Sequence, residues 1–457
     1  MLLGLLLFSV PATGRAQVDV WLTNPDKSAL FQPQAAPLLF EPTTNALPTI
    51  EVDDTKRFQT MDGFGFTLTG GSAQHIVRMA PAARAALLRE LFATDRTNIG
   101  ISYLRLSIGA SDLNPRVFSY DALPAGQTDP EMKKFDLGPD RADVIPVLKE
   151  ILAINPNLKL MGSPWSAPTW MKTTNDTRGA SLKPEFHDAY AKYFVKYIQA
   201  MKAEGIRIDA VTVQNEPLNP DNNPSMFMSA QQQSTFIKRS LGPAFAAAKL
   251  DTKIILFDHN CDHPDYPLSI LKDPATAKYV DGSAFHLYAG KIDALTTVHD
   301  AHPDKNLYFT EQWIGAPGNF RGDLTWHVRE LIIGATRNWS RTVLEWNLAA
   351  NSRWEPHTDR GGCTRCLGAV TIEGNNVIRN PAYYIIAHAA KFVRPDSVRL
   401  ASNVPPSLPN VAFKSPDGRH VLIVLNDSPQ TQRFNISHGG KQATGTLASR
   451  AVATFVW

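Results

Sequence analysis

The sequence has 457 residues, which is enough for one large domain and a smaller one. Hydrophobic residues make up 43% and charged residues 19%, as is typical of a globular protein with a sizeable core. The formal net charge is only +3, and Lys and Arg are spread along the chain without forming a basic run. This pattern disfavours nucleic-acid binding and membrane-surface binding. No apolar stretch has the length of an integral membrane segment.

Residues 1–16 begin with a short apolar run and continue with small residues, including Gly14 and Ala16 at suitable cleavage positions. This arrangement predicts a signal peptide and therefore a secreted or periplasmic protein. A buried N-terminal strand is the alternative interpretation. Residues 17–59 follow, with alternating apolar positions and several prolines, so we expect strands joined by loops there.

From about residue 60, eight short apolar runs alternate with segments of helical periodicity. The runs are Gly63–Leu68, Ile101–Ile108, Leu158–Trp165, Ile208–Gln214, Lys253–Asp258, Val280–Tyr288, Asn306–Trp313 and Thr342–Leu348. Continuously apolar strands separated by amphipathic helices indicate a parallel sheet buried on both faces. Eight such units close a (β/α)8 barrel. The predicted fold class is therefore α/β, with a TIM barrel over residues 60–390.

Residues 391–457 contain short strand-like runs separated by turn signals such as Pro416-Asp417-Gly418. The predicted strands are Val411–Phe413, His420–Leu425, Gln432–Ile436 and Ala451–Val456. This spacing predicts an antiparallel β-sandwich as a side domain. We expect the N-terminal strands of residues 17–59 to complete it.

The three cysteines are Cys261, Cys363 and Cys366. The pair Cys363 and Cys366 could form a short-loop disulfide, a redox pair or half of a zinc site. A zinc site usually needs a second pair of ligands at matching spacing, which this sequence does not offer. In an exported protein the disulfide is favoured, and Cys261 is then expected to be a buried free thiol.

Barrel enzymes carry their catalytic residues at the C-terminal ends of the strands, so the polar residues closing each apolar run are candidates. These residues include Arg105, Asp112, Trp165, Asn215, Glu216, Asp258, His286, Tyr288, Glu311, Trp313, Glu345 and Trp346. A sugar site needs such acids, amides and indoles, because carboxylates and amides bind hydroxyls while indoles stack on the apolar faces of a pyranose.

Glycoside hydrolysis needs a carboxyl pair across the scissile bond. Glu216 and Glu311 close strands 4 and 7, which lie far apart on the ring and can face each other across its mouth. Their sequence spacing does not distinguish inversion from retention. Glu345 competes with Glu311 for the nucleophile role, but the favoured interpretation is that it pairs with Arg105 or another cation at the barrel mouth. For His286, a role in the sugar site and a structural role as a hydrogen-bonded core histidine are equally favoured.

Four motifs occur in order and are together quite specific. They are Asp62-Gly63-Phe64-Gly65, the run Ser163-Pro164-Trp165-Ser166-Ala167-Pro168-Thr169-Trp170-Met171-Lys172, Gln214-Asn215-Glu216-Pro217 and Phe309-Thr310-Glu311. Through them the chain resembles glycoside hydrolase family 30, which includes lysosomal glucosylceramidases and bacterial and fungal β-1,6-glucanases. The resemblance covers residues 48–457.

This resemblance implies a (β/α)8 barrel with a side β-sandwich and a retaining mechanism, in which Glu216 is the acid/base and Glu311 the nucleophile. It thereby ranks Glu345 below Glu311. The implied substrate-binding residues, with Arg105 supporting the nucleophile, are Asp112, Trp165, Asn215, His286, Tyr288 and Trp346.

These roles set an electrostatic expectation. Glu311 must be ionised, so Arg105 or the Tyr288 hydroxyl should keep its pKa low. Glu216 must start protonated, so burial and the charge of Glu311 should raise its pKa. The two-carboxylate chemistry needs no metal or organic cofactor.

The expected partner is a β-glucoside. Residues 219–228 and 354–372 look more like those of bacterial β-1,6-glucanase relatives than those of animal glucosylceramidases, so we expect a β-glucan or gluco-oligosaccharide substrate. The alternatives are a glucosylceramidase acting on a glucosyl lipid, a xylan-active member of the family and a carbohydrate-binding pseudoenzyme.

Overall fold

A computed structural model describes residues 17–43 and 45–457, so the predicted signal peptide of residues 1–16 lies outside the described part of the chain. Eight parallel strands form a closed barrel, and neighbouring strands follow each other in chain order. They are Gly63–Leu68, Tyr103–Ser107, Lys159–Ser163, Ala210–Thr212, Lys253–Asn260, Val280–His286, Asn306–Glu311 and Ser340–Asn347. Each predicted apolar run overlaps one of these strands, and the predicted barrel is confirmed.

Helices follow every barrel strand and cover the outside of the barrel. They are Gly70–Arg78, Pro81–Phe92, Val144–Ile154, His187–Ala203, Ala230–Phe236, Gly242–Ala247, Asp265–Leu271, Pro274–Ala277, Ala294–Ala301, Phe320–His327 and Pro381–Ala390. Segments with π-helical geometry extend two of them over Ile237–Leu241 and Val328–Ala335. Short 3-10 turns occur at Gly138–Arg141, Thr169–Met171 and Pro184–Phe186.

The longest of these helices, His187–Ala203, shows why the sequence folds in this way. Its apolar side chains recur at three- and four-residue steps, and Tyr190, Phe194, Tyr197 and Met201 are all buried against the barrel.

The interior of the barrel is filled by side chains from seven of its strands. They are Tyr103, Met161, Ala210, Ile255, Ala284, Tyr308 and Leu344, and all are buried. The barrel is therefore a packed core without a pore, and a ligand cannot occupy its interior.

A second sheet domain, of ten strands, combines both ends of the described chain. Its strands are Gln17–Thr23, Gln32–Pro33, Leu38–Leu39, Thr49–Thr60, Val398–Ser402, Asn410–Lys414, His420–Leu425, Gln432–His438, Lys441–Leu447 and Val452–Val456. Asp19–Thr23 pairs antiparallel with Val452–Val456, whereas Thr49–Glu51 pairs parallel with Asn435–Ser437. The predicted attached β-sandwich is confirmed, with this parallel pair as an unpredicted exception.

The sheet domain has its own apolar core and is joined to the barrel through the last barrel helix. Phe434 and Phe455 are buried in that core. His388, from the helix Pro381–Ala390, is fully buried and hydrogen-bonds Thr454 Oγ1 at 2.9 Å and Thr23 Oγ1 at 2.8 Å. One imidazole therefore connects a barrel helix to both the first and the last strand of the sheet domain.

A small three-stranded sheet of Ala349–Ala350, Val370–Glu373 and Asn376–Arg379 follows the eighth barrel strand. Within residues 17–43 and 45–457, no helix combines the length and the apolar character needed to cross a membrane.

Candidate active site

Two buried glutamates face each other at the C-terminal end of the barrel. Glu311 is the last residue of the seventh strand, and Glu216 follows the fourth strand by four residues. They are only 6% and 7% exposed, and a carboxylate oxygen of one lies within 4.8 Å of a carboxylate oxygen of the other. Both line a cavity of about 290 Å³. The barrel thus brings together two carboxylates from distant parts of the sequence.

Arg105, from the second strand, is the central cation of the site and is fully buried. Its Nη1 donates to Glu311 Oε2 at 2.5 Å, and its Nη2 donates to Asp258 Oδ2 at 2.8 Å and Asn215 Oδ1 at 2.6 Å. The guanidinium also lies 4.8 Å from the centroid of the Trp165 ring. The rigid, planar fork of Arg105 therefore fixes two carboxylates and one amide in a single arrangement.

Asp258, at the end of the fifth strand, is one of the strand-end candidates but has no specific role in the sequence-based predictions; in the structure it holds Arg105, His286 and Thr310 together. It is fully buried, and its Oδ1 accepts a hydrogen bond from Thr310 at 2.6 Å and lies 3.1 Å from His286 Nε2. Burial opposes its charge, but Arg105, His286 and Thr310 outweigh this effect and hold the pKa of Asp258 well below its ordinary value. A charged residue inside the apolar run of the fifth strand was the sequence signal for this role.

His286 lies between the two glutamates. Its ring is fully buried, and its Nδ1 lies 3.5 Å from Glu216 Oε1 and 3.7 Å from Glu311 Oε1. Burial lowers the pKa of His286, but the charge of Glu311 and the contacts with Asp258 and Glu216 raise it to about 9. The raised pKa favours an imidazolium at neutral pH, and the position of the ring between the two glutamates favours a role in the site over one as a core histidine.

Backbone conformation also directs the carboxylates. Glu216 and Asp258 have φ values of 45° and 69°, in the left-handed region that non-glycine residues rarely occupy. The amide N–H of Glu216 donates to the carbonyl oxygen of Asp258 at 2.9 Å, which links the two strained positions. Strain of this kind persists only where surrounding contacts enforce it, and it is concentrated at functional sites.

Amides hold the second oxygen of Glu216. Asn219 Nδ2 donates to Glu216 Oε2 at 2.8 Å, and Asn222 Nδ2 approaches the same oxygen at 3.4 Å. The sequence-based predictions include no role for either asparagine. Their position in the loop directly after Asn-Glu-Pro was the available signal.

The walls of the cavity carry three indoles. Trp165 and Trp346 are almost fully buried, with ring centroids 5.3 Å apart, and Trp313 is half-buried beside them. The Tyr288 hydroxyl donates to Glu311 Oε1 at 2.9 Å, so both oxygens of this carboxylate accept a hydrogen bond. The disulfide of Cys363 and Cys366 completes one wall, whereas Cys261 is a buried free thiol.

Asp112 is the third acid at the cavity. Burial, assisted by the charges of Glu311 and Glu216, raises its pKa to about 7. Its Oδ2 accepts a hydrogen bond from the Cys363 amide N–H at 3.2 Å. The structure therefore brings every predicted site residue, including Asn215 and Arg105, to one end of the barrel.

The proton preference of the two glutamates differs from the expectation. Burial, with the charges of Glu216 and Asp258, raises the pKa of Glu311 above its ordinary value despite His286 and Arg105. Burial also raises the pKa of Glu216, but the hydrogen bond and the charge of His286 outweigh burial. The pKa of Glu216 is therefore lowered. The prediction was wrong for Glu311 because burial and the neighbouring carboxylates outweigh Arg105, and wrong for Glu216 because the sequence does not show its contact with His286. Their close approach means that the pair titrates as one unit.

Of the two partners expected for Glu345, Arg105 or another cationic side chain, Arg105 does not contact it, and His327 does. Its Oε1 lies 2.7 Å from His327 Nδ1, and both side chains are buried behind the wall of the site. Glu345 precedes Trp346, so alternate side chains of this strand point to opposite faces. The competing assignment of Glu345 as nucleophile therefore has no geometric support.

Two groups of side chains in the described residues bring potential metal ligands within 4.8 Å of one another. One is the Glu216, His286 and Glu311 centre, where a cation would compete with Arg105 for Glu311. The other is Asp54, His420 and His438 in the sheet domain, where the Lys414 ammonium already lies 3.6 Å from Asp54 Oδ2.

Comparisons with known proteins agree with this geometry. The model of the glycosyl hydrolase family 30 TIM-barrel domain matches residues 61–393, and that of the glycosyl hydrolase family 30 beta sandwich domain matches residues 396–455. The chain belongs to glycosyl hydrolase family 30. It is thus a glycoside hydrolase, as predicted from the strand-end residues and the motifs.

Three relatives show the range of this family. The chain is 32% identical to an endo-1,6-β-D-glucanase of Aspergillus fumigatus, with 100% of this chain and 98% of that protein covered. It is 30% identical to the lysosomal acid glucosylceramidase of Mus musculus, with 91% and 84% covered. A solved endo-β1,6-glucanase structure superposes with a TM-score of 0.90 at 35% identity, covering 96% of this chain and 99% of that one.

Proposed function

We propose that this family 30 hydrolase is a retaining endo-β-1,6-glucanase, with Glu311 as nucleophile and Glu216 as acid/base. The observation that carries the proposal is the approach of the two carboxylates to within 4.8 Å. Retaining glycosidases need carboxyl groups about 5–5.5 Å apart, whereas inverting enzymes need about 6.5–9.5 Å to accommodate a water molecule. This separation favours retention.

In the first step, a Glu311 oxygen bonds to the anomeric carbon while the bond from that carbon to the leaving oxygen breaks. Glu216 transfers its proton to the leaving oxygen. The reactive form of the coupled pair has its proton on Glu216 and Glu311 ionised, and the positive charge developing on the sugar stabilises this form in the transition state. The transition state therefore reverses the proton preference of the two glutamates.

In the second step, water attacks the anomeric carbon and the bond to Glu311 breaks. The charge of Glu311 is absent from the glycosyl–enzyme, so Glu216, already stabilised as a carboxylate by His286 and Asn219, is well suited to accept the water proton. The low pKa of Glu216 therefore supports its role as base.

The other residues bind the sugar. Asn215 has its Oδ1 occupied by Arg105, so its amide N–H groups are directed to a sugar hydroxyl. Within the described residues, no group hydrogen-bonds Asp112 Oδ1, although this oxygen is buried. A sugar hydroxyl would satisfy it. Trp165 and Trp346 supply the stacking faces.

The substrate class is supported by relatives and by the character of the cavity. The relatives with 32–35% identity are endo-1,6-β-D-glucanases of Aspergillus fumigatus, Trichoderma harzianum and Neurospora crassa. The cavity rim carries Asn219 and Asn222, which suit sugar hydroxyls better than an alkyl chain. A gluco-oligosaccharide is therefore favoured over a glucosyl lipid.

A glucosylceramide substrate is the second candidate, on the basis of the glucosylceramidase of Mus musculus. The described large hydrophobic residues that are exposed are scattered over separate elements. They are Leu30, Leu39, Phe227, Tyr288, Ile378 and Val404. This distribution gives little support to a ceramide-binding surface.

We also propose that the protein is exported to the periplasm or secreted, which the apolar residues 1–16 and the disulfide support. The proposed division is a catalytic barrel of residues 60–390 and a β-sandwich formed by residues 17–59 with residues 391–457.

The test is time-resolved NMR of the products from β-1,6-gluco-oligosaccharides, with glucosylceramide and xylo-oligosaccharides as competing substrates. We expect β-anomeric oligosaccharides of intermediate length from the β-1,6-linked substrate at the highest kcat/KM. Initial release of α-anomers would contradict retention. Release of glucose alone would contradict endo cleavage.

Azide separates the two glutamate roles. Azide should restore turnover of an activated aryl glucoside by Glu311→Gly and yield the α-glucosyl azide, because it attacks from the vacated face. With Glu216→Gly it should yield the β-azide, because it replaces the water of the second step. A pseudoenzyme would show neither reaction.

A further inference from the structure

We propose that the disulfide between Cys363 and Cys366 is a positioning element of the sugar site, so that breaking it weakens glucoside binding. This inference rests on the proposed function only in taking the cavity of Glu216 and Glu311 to be the sugar site. The inference holds whichever glycosidic linkage the enzyme cleaves.

The disulfide is part of the cavity wall. Both cysteines line the cavity that contains Glu216 and Glu311. Cys366 is only 3% exposed and belongs to the cluster of Trp165 and Trp346, and Cys363 packs against the same cluster. The bond therefore packs with the two indoles of the site.

The orientation of Asp112 depends directly on the segment of residues 358–367, which contains the disulfide. The Cys363 amide N–H donates to Asp112 Oδ2 at 3.2 Å, and the Thr358 amide N–H donates to the Asp112 carbonyl oxygen at 2.8 Å. The Cys363 contact turns the carboxyl so that the buried Oδ1, which no described residue contacts by hydrogen bonding, remains for the ligand. Movement of Cys363 would therefore change the orientation of Asp112.

The same segment connects the loops that follow strands 7 and 4. The Ala316 amide N–H donates to the Arg365 carbonyl oxygen at 2.8 Å, and the Leu367 amide N–H donates to the Ile314 carbonyl oxygen at 3.0 Å. Asn223 Nδ2 donates to the Asp359 carbonyl oxygen at 2.9 Å. The disulfide ring of residues 363–366 therefore holds two of these contacts directly, that of Cys363 with Asp112 and that of Arg365 with Ala316.

A role in global stability explains this position poorly. The bond closes a ring over a sequence separation of only three residues. Disulfide stabilisation through the unfolded chain grows with the size of the closed loop, so a ring this small contributes little. Its contribution is therefore concentrated on the local geometry of Cys363, Asp112 and the indole wall.

The experiment compares oxidised protein, protein reduced with a phosphine reductant, reoxidised protein and the double variant Cys363→Ser with Cys366→Ser. Steady-state kinetics on β-1,6-gluco-oligosaccharides should show KM raised about tenfold on reduction and in the double variant, as for loss of one charge-assisted hydrogen bond. We expect kcat to change much less, and reoxidation to restore KM. The reductant should have no effect on the double variant.

Cys261→Ala is the matched control, because Cys261 is buried outside the cavity and forms no disulfide. It should respond to reduction like the wild type. Thermal unfolding of each form identifies any variant that has simply lost its fold, and the wild-type reduction series then decides alone.

Binding of a glucose-configured iminosugar, measured by calorimetry, tests the disulfide separately from hydrolysis. If the oxidised enzyme binds the iminosugar but does not cleave β-1,6-glucans, the substrate assignment fails while the disulfide inference is still tested. Unchanged KM and unchanged iminosugar affinity after complete reduction would overturn the disulfide inference.

Discussion

Replacement of Arg105 by methionine or by lysine tests the electrostatic organisation of the site. The guanidinium is fully buried and forms ion pairs with Glu311 at 2.5 Å and Asp258 at 2.8 Å. Methionine retains most of the volume and removes both pairs, whereas lysine retains the charge but not the planar fork. The two variants therefore separate the effect of charge from that of geometry.

The magnitude follows from the contacts. A hydrogen bond to a charged group contributes about 1.5–3 kcal/mol, equivalent to about 10–100-fold in a rate or binding constant. Arg105→Met loses two such bonds and leaves two buried carboxylates without this cation, so we expect kcat/KM to fall by about 10²–10⁴-fold. Arg105→Lys retains one pair, so its loss should be about 10–100-fold.

The assay is kcat/KM on a β-1,6-gluco-oligosaccharide at low substrate concentration, with thermal unfolding as the check on folding. Arg341→Met is the matched control, because Arg341 pairs with Asp62 at 2.8 Å near the start of the eighth barrel strand, at the opposite end of the barrel. It should lose stability and retain kcat/KM. A folded Arg105→Met enzyme within tenfold of wild-type activity would refute the reasoning.

Three further substitutions examine the acid, the imidazolium and the competing glutamate. His286→Asn removes a cation that lowers the pKa of both Glu216 and Glu311. Both limbs of the pH–rate profile should therefore move to higher pH. A shift to lower pH would contradict the proposed charge on His286. Glu216→Ala should lose about 10²–10⁴-fold in kcat/KM on oligosaccharides but far less on an activated aryl glucoside, which needs little protonation; equal losses would contradict the acid role. Glu345→Gln should lower the unfolding temperature through its contact with His327 while kcat stays within about tenfold, and a loss as large as that of Glu311→Gln would contradict the nucleophile assignment.

The barrel was predictable because its signal is local. Each strand is a continuous apolar run, and seven of the eight strands place one side chain in the packed interior. The sheet domain was only partly predictable, since Val398–Ser402 and Lys441–Leu447 lack a strong apolar run. Strands of this kind are specified by their neighbours more than by their own composition.

The site was predictable as a set of residues but not as an electrostatic arrangement. Strand-end polarity and the motifs indicated Glu216 and Glu311, since Glu311 ends one short apolar strand and Glu216 closely follows another. The central role of Asp258 and the position of His286 between the glutamates depend on how strands 5 and 6 turn their side chains. Register shifts occur in this strand pair between Val280 and Gly282 and between Ala284 and Phe285, and no sequence pattern specifies them.

The pairing of Asp19–Thr23 with Val452–Val456 has a consequence for biosynthesis. The first strand leaves the ribosome long before its partner exists, so its edge stays open while the whole barrel is being made. Contacts this distant along the chain slow folding and prolong exposure of the unpaired strand. A strand pair that forms this late implies that the enzyme reaches its final form only after residues 452–456 have been synthesised, and that removing a few residues from either strand would harm expression more than catalysis.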